Sequence, residues 1–269
     1  MSKNAVAVKH EDQLPETVGL PAEISSFLLE DSGKGVSFAQ EDNIVPLIYL
    51  LQANSPALKK SSPNYLEGSA AGDIWKRNSI HQQLIKGEEG FLFQPCHFEK
   101  VWLEWRPNRG GFAGSHPERP SDAKETEIMH EGKPRLIWVR KNGNQVVETR
   151  QHVGFANGEA YVISFSSTGH TVSRTWMQMM NQQYIPGTNK IAPSFSRLYK
   201  LTSVERTKDA NSWFVFKVED AGWVTKREDY EKGKALHEAF TRGEKKVANE
   251  ELEEVLHDSS SVNDEEAPF

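Results

Sequence analysis

Two Asn-Gly pairs, Asn142-Gly143 and Asn157-Gly158, stand between runs of β-favouring residues and constrain this chain more than any other feature. Asn-Gly is the pair best suited to the two positive-φ positions of a tight hairpin turn. The first joins Arg135–Arg140 to Gln145–Phe155, which predicts a hairpin, and the second leads into a further strand at Ala160–Ser166. Upstream, Phe91–Trp105 is long, aromatic and β-favouring, with Pro95 marking a bulge or an edge. Downstream, Thr171–Tyr184 has helical spacing, with Val172, Trp176, Met179 and Met180 on one face. Beyond the Pro186-Gly187 turn, Phe195–Arg206 and Ser212–Glu219 read as two more strands. Thr225 and Glu228 then form a capping-box pattern that opens a helix closed by Gly243.

Several strands, one helix and two strands is the order of an oligonucleotide-binding (OB) fold. This is a five-stranded Greek-key barrel with its helix between the third and fourth core strands. The expected organisation is a disordered stretch over 1–20 and an N-terminal helix and extension packed on the barrel over 21–89. The barrel itself spans 90–243, and a disordered acidic tail covers 244–269. Pro21–Glu30 reads as a short helix, Asn54–Gly72 as loop, and Arg106–Pro134 as a long polar loop.

Charge is distributed unevenly. Residues 1–45 hold 3 Lys/Arg against 8 Asp/Glu, and residues 247–269 hold none against 8. The body between them holds 29 basic and 22 acidic residues, so a net −6 chain has a +7 middle. A basic body with acidic ends points towards nucleic acid. A hydrophobic share of 37% fits a chain with unstructured parts. The single cysteine, Cys96, allows no internal disulfide and fits a reducing compartment. No apolar run reaches the roughly 18 residues of a membrane span, and Met1–Leu20 lacks a signal-peptide pattern. A cytoplasmic protein that makes no membrane contact is therefore expected.

Single strands bind where cations for phosphates alternate with aromatic faces for bases. Three segments offer both. Trp102-Leu103-Glu104-Trp105-Arg106 continues to Arg109 and Phe112, and Arg109-Gly110-Gly111-Phe112 lets backbone approach a phosphate. Trp138 and Arg140 share a strand face beside Lys141 at the hairpin tip. Arg197 and Tyr199 are aligned, with Lys200 opposite. Burial in the core is the favoured reading for any single tryptophan, and most firmly for Trp176. The histidines have no metal-site spacing, and no phosphate-binding loop or nucleophile elbow is present, so neither metal nor cofactor nor catalysis is expected. Asp73, Glu88, Glu148 and Lys141 could be assembled into a nuclease site, but their spacing carries no signature.

The sequence closes on Asp264-Glu265-Glu266-Ala267-Pro268-Phe269, a lone aromatic behind an acidic run free of Lys and Arg. Phe269 suits an apolar pocket ringed with cations, and the acids steer encounter with basic partners. This tip resembles the C-terminus of bacterial single-stranded DNA-binding proteins. It is also similar to that of single-stranded DNA-binding proteins from T7-like phages. The match covers about six residues, and the long body fits a phage member better than the short bacterial protein. The resemblance implies an OB barrel that protects single-stranded DNA in the host cytoplasm. It also implies a tail, read through Asp264, Glu265, Glu266, Pro268 and Phe269, that recruits DNA polymerase, helicase or nuclease during replication, recombination and repair. A homodimer is compatible with this. A phage virion or scaffold protein is the alternative, and a metal-dependent nuclease the third.

Overall fold

The computed structural model describes residues 44–77, 82–107, 110–130, 133–208 and 211–249. The expected disordered N-terminus, the Pro21–Glu30 helix, Arg109 and the tip Asp264–Phe269 lie outside these residues. Within them the chain is mainly β, a curled half-barrel sheet with two helices. Its elements are β1 (Ile44–Val45), β2 (Leu47–Leu50), β3 (Ile74–Arg77), β4 (Gln82–Ile85), β5 (Phe91–Trp105), β6 (Phe112–His116), β7 (Lys124–His130) and β8 (Lys133–Val139). There follow β9 (Gln145–Ala156), β10 (Glu159–Phe165), α1 (Gly169–Asn181), β11 (Arg197–Lys208), β12 (Asn211–Trp223), α2 (Arg227–Thr241) and β13 (Lys246–Val247).

The main sheet runs β12-β11-β5-β9-β10-β2-β3-β4, with β6 added to β5 and the β7–β8 hairpin added to β9. The long β5 is its spine. It pairs antiparallel with β9 along most of its length and with β11 at Phe91–Phe93. The second Asn-Gly pair makes the expected tight turn: Asn157 and Gly158 both have positive φ, and Ala156 faces Glu159 across it. At the first, β8 pairs with β9 only at Trp138 and Val139, while it pairs with β7 along its whole length.

Four expectations change. Residues 244–249, expected within the disordered tail, are ordered, with Lys246–Val247 paired to β1 and Ala248 and Asn249 buried. β2, β3 and β4 belong to the main sheet, so residues 44–89 form part of it rather than an extension laid on it. β2 joins through parallel pairing of Leu47 and Ile48 with Val162 and Ile163, a contact without a local sequence signature. The stretch expected as loop between Arg106 and Pro134 contains β6 and β7. The capping box is not made: α2 begins after Lys226 without a side-chain cap, and Glu228 bonds Lys232 at 2.6 Å instead.

Two apolar clusters cover the two faces of the sheet. One gathers Phe91, Phe93, Ile163, Tyr199, Leu201 and Phe216 around Trp176 of α1. Trp176 is fully buried and stacks on His152 at 4.4 Å. Burial lowers the His152 pKa to about 3, helped by the nearby Arg150 charge, so His152 is a neutral core residue bonded to Ser173 at 2.8 Å. The other cluster packs Leu236 and Phe240 of α2, with Ala248, against Leu47, Val101, Leu103, Val153 and Val162. Beside it, Gln151 bonds Asn249 at 2.6 Å.

At the β5 bulge between Pro95 and His97, Gly154 allows β9 to press close. A Cβ there would meet the Gln94 carbonyl oxygen at 2.1 Å and the Phe93 ring at 2.7 Å. Gly154→Ala should cost about 1–3 kcal/mol. A scanning calorimeter should show the melting temperature fall by roughly 2–4 °C per kcal/mol; an unchanged melt would contradict the tight packing.

Candidate nucleic-acid interface

The residues expected to meet DNA divide sharply by exposure. Trp102 and Trp105 do lie on opposite faces of β5, yet both are buried, at 8% and 7% exposure. Trp102 packs with Trp138, Ala123 and Val146, and Trp105 joins the cluster beneath α2. Phe112 has a core neighbour: its ring lies edge-on to Trp105 at 5.7 Å. Arg106 is exposed but turns back to donate to the Phe112 carbonyl at 2.8 Å. Trp138 is half-buried, with Arg119 over its ring at 3.8 Å.

Arg140 is committed to carboxylates, bonding Glu104 at 2.7 Å and Asp122 at 3.0 Å. Its charge is therefore satisfied within the protein, while the neighbouring Lys141 is exposed. Tyr199 is fully buried against Trp176, and burial pushes its pKa up to about 12. Arg197 is buried too, paired with Asp220 and lying 4.3 Å from the Trp223 ring. Tyr199, Trp102 and Trp105 are thus core residues rather than stacking surfaces. Arg197 and Arg140 are structural cations, and Lys200 is the exposed member of its segment.

Lys200 marks a face that local reading had not assembled. From Tyr199 onward β11 and β12 pair in unbroken register, setting Lys200 opposite Glu219, Thr202 opposite Lys217, Val204 opposite Val215, Arg206 opposite Trp213 and Lys208 opposite Asn211. Strand alternation places these side chains together, on the face opposite Tyr199, Leu201 and Phe216. Lys200, Arg206, Lys208 and Lys217 are exposed, and Trp213 is half-buried beside Arg206. Among the described residues, Glu219 is the one acid on this face, and Lys217 holds it at 2.8 Å. No described carboxylate lies within ion-pair distance of Lys200, Arg206 or Lys208. At roughly 3.3 Å per residue, the row from Lys200 to Lys208 extends about 26 Å.

Lys86 bonds the Asp73 carboxylate at 2.7 Å, and His97 packs against His237 and Phe240. Burial raises the pKa of the Cys96 thiol. Among the described residues no three His, Cys, Asp or Glu side chains converge as a metal site, and no helix is long and apolar enough to cross a membrane.

Residues 21–246 match the family described as Pam3 phage gp34-like protein, and the chain belongs to that family. The match spans β1 to β12 and both helices, ends at Lys246 within β13, and stops before the acidic stretch that begins at Glu250. No curated protein matches the chain, and no solved structure matches it.

Proposed function

We propose that this phage-family protein is a non-catalytic, sequence-tolerant single-stranded DNA-binding protein built on an OB-type barrel. The observation that carries the reading is the outer face of β11–β12, where Lys200, Arg206, Lys208 and Lys217 surround Trp213 with one acid among them. Such a face supplies cations for phosphates and an aromatic ring for a base, without groups arranged to read sequence.

The strand order supports the barrel. β5, β9, β10, β11 and β12 take the places of the five core strands. β5 is paired on both sides, and α1 stands between the third and fourth. This chain departs from that plan on one side, where β10 pairs with β2. The Gln52 amide then bridges to the backbone of Phe214 in β12, accepting at 2.9 Å and donating at 3.0 Å. The outer face of β9–β10, a common ligand surface in OB barrels, is covered by α2, Ala248 and Asn249. The DNA path is therefore assigned to β11–β12. The acidic residues from Glu250 onward, with Pro268 and Phe269, serve as the element that recruits replication or recombination proteins in the host cytoplasm.

Titration of a fluorescent oligonucleotide at two salt concentrations tests this. Single strands should bind in preference to duplex, with log K falling by about 0.7 per phosphate contact for each decade of salt. No binding, or equal affinity for duplex, would overturn the reading. A virion or scaffold role is the second reading, favoured by the projecting β7–β8 hairpin with its exposed apolar side chains. Copurification with particles rather than with replicating DNA would select it.

A further inference from the structure

Past its bulge, β5 pairs Phe98 with His152, Lys100 with Arg150 and Trp102 with Glu148 of β9. Cross-strand partners share a face, with their Cβ atoms about 5 Å apart. Lys100 therefore stands directly opposite Arg150. Like charges in that position are unfavourable. Among the described residues, no carboxylate lies within ion-pair distance of either cation. Glu148, the nearest acid in register on this face, pairs with neither.

Arg150 is also held differently from Arg140 and Arg197, which are fixed by carboxylates. Its Nε–H donates to the Ser173 hydroxyl at 3.0 Å, and its guanidinium lies 5.2 Å from the centre of the Phe98 ring. Ser173 is buried and bonded in turn to the neutral His152 at 2.8 Å. One edge and one face of the guanidinium are thus occupied by neutral groups. Its two Nη groups make no hydrogen bond to any described residue. A planar fork held in one orientation is suited to meet an oxyanion with two parallel bonds. The exposed Lys100 adds a second, point-like cation beside it. His170, in the first turn of α1, bonds the Glu148 carbonyl at 2.9 Å, which brings the positive end of that helix beside the same stretch of β9.

We propose that Lys100 and Arg150 form a phosphate-binding site, in which one phosphate group lies between the ammonium and the guanidinium fork and relieves their repulsion. The separate oxygens of a tetrahedral phosphate can meet both cations at once. Lys100 lies about 20 Å along β5 from Phe93, where that strand pairs with β11. The site is therefore distinct from the β11–β12 face and holds whether or not that face meets DNA.

Scanning calorimetry of the full chain at fixed ionic strength tests this, with about 20 mM inorganic phosphate replacing chloride. The proteins compared are wild type, Lys100→Glu, Arg150→Gln, and a triple variant with Lys200, Arg206 and Lys208 changed to alanine. Exclusion of phosphate from protein surfaces stabilises all four alike and cancels in the comparison. Phosphate should raise the melting temperature of wild type about 3 °C more than that of Lys100→Glu or Arg150→Gln. The triple variant should keep the wild-type gain. In chloride, Lys100→Glu should melt no lower than wild type, because it turns a repelling pair into an attracting one. Equal gains in wild type and Lys100→Glu overturn the proposal. So does a gain lost only in the triple variant, or a Lys100→Glu protein that melts well below wild type in chloride. A fluorescent oligonucleotide without terminal phosphates then identifies the source of the group. Strand binding weakened severalfold by Lys100→Glu assigns the site to a backbone diester, and unchanged binding assigns it to a small phosphorylated molecule.

Discussion

Glu104→Ala is expected to destabilise the protein by about 3 kcal/mol or more, the cost of breaking a buried ion pair from one side. Glu104 lies near the end of β5 and is 4% exposed. One carboxylate oxygen accepts from Asn142 at 3.2 Å and from Asn144 at 2.5 Å. The other accepts from Arg140 at 2.7 Å and meets His116 at 2.6 Å. This single side chain therefore ties β5 to β6 and to the Asn-Gly turn that follows β8. Its loss leaves Arg140 with only Asp122 and strands several half-buried donors, which costs more than the contact itself contributes. Glu104→Gln keeps the shape but places an amide N–H against donors, so it should cost nearly as much. Burial alone would raise the Glu104 pKa, but the bonds from Asn144, Arg140, His116 and Asn142 outweigh it and hold the pKa down to about 2. The folded state thus binds this proton more weakly than the unfolded chain. The contribution is complete above the ordinary value of 4.5 and is lost as pH falls towards about 2. Urea denaturation should show a wide gap between wild type and Glu104→Ala at neutral pH, narrowing by about pH 3. A gap of equal width at both would sink this account.

How far local sequence reaches is visible in particular elements. The Asn157-Gly158 turn, the helix around Trp176 and the strands β9 to β12 were legible because each carries its own turn chemistry or periodicity. β3 and β4 were not, since IWKR and QQLI are four residues each and owe their pairing to a distant β2. β7, reading KETEIMH, looks like loop because a projecting strand buries too little to show alternation. Which of the candidate side chains are exposed was hidden for a related reason. Alternation tells which side chains share a face but not which face is covered. Arg197 and Tyr199 alternate correctly, yet α1 brings Trp176 against Tyr199. Arg140 looked available because Glu104 and Asp122, which neutralise it, lie 36 and 18 residues away. The signal for the cationic face was present in the spacing of Lys200, Arg206 and Lys208 on one strand and Trp213 and Lys217 on the next.

Replacing Lys200, Arg206 and Lys208 together by alanine is expected to reduce the salt dependence of single-strand binding by about two in the log–log slope, at about 0.7 for each phosphate contact removed. The affinity at low salt should fall on the order of a hundredfold or more, since the sequence-independent binding of a strand is mostly electrostatic. These positions are exposed and free of described ion pairs, so the variant should melt like wild type. A control separates a local groove from the effect of overall charge. Lys232, Lys234 and Arg242 on or beside α2 are equally exposed. There Lys232 is paired with Glu228, and Arg242 with Glu238 and Glu244. Removing these three subtracts the same charge from a surface already balanced by acids, and binding should change little. If the α2 variant loses as much affinity as the β11 variant, no groove is defined and only net charge matters. If the β11 variant keeps its slope, the strand does not pass over β11–β12 at all. Trp213→Phe distinguishes the remaining contribution: it preserves a ring opposite Arg206 and should retain most of the affinity, whereas Trp213→Ala should lose the roughly 1–3 kcal/mol of a stacked base.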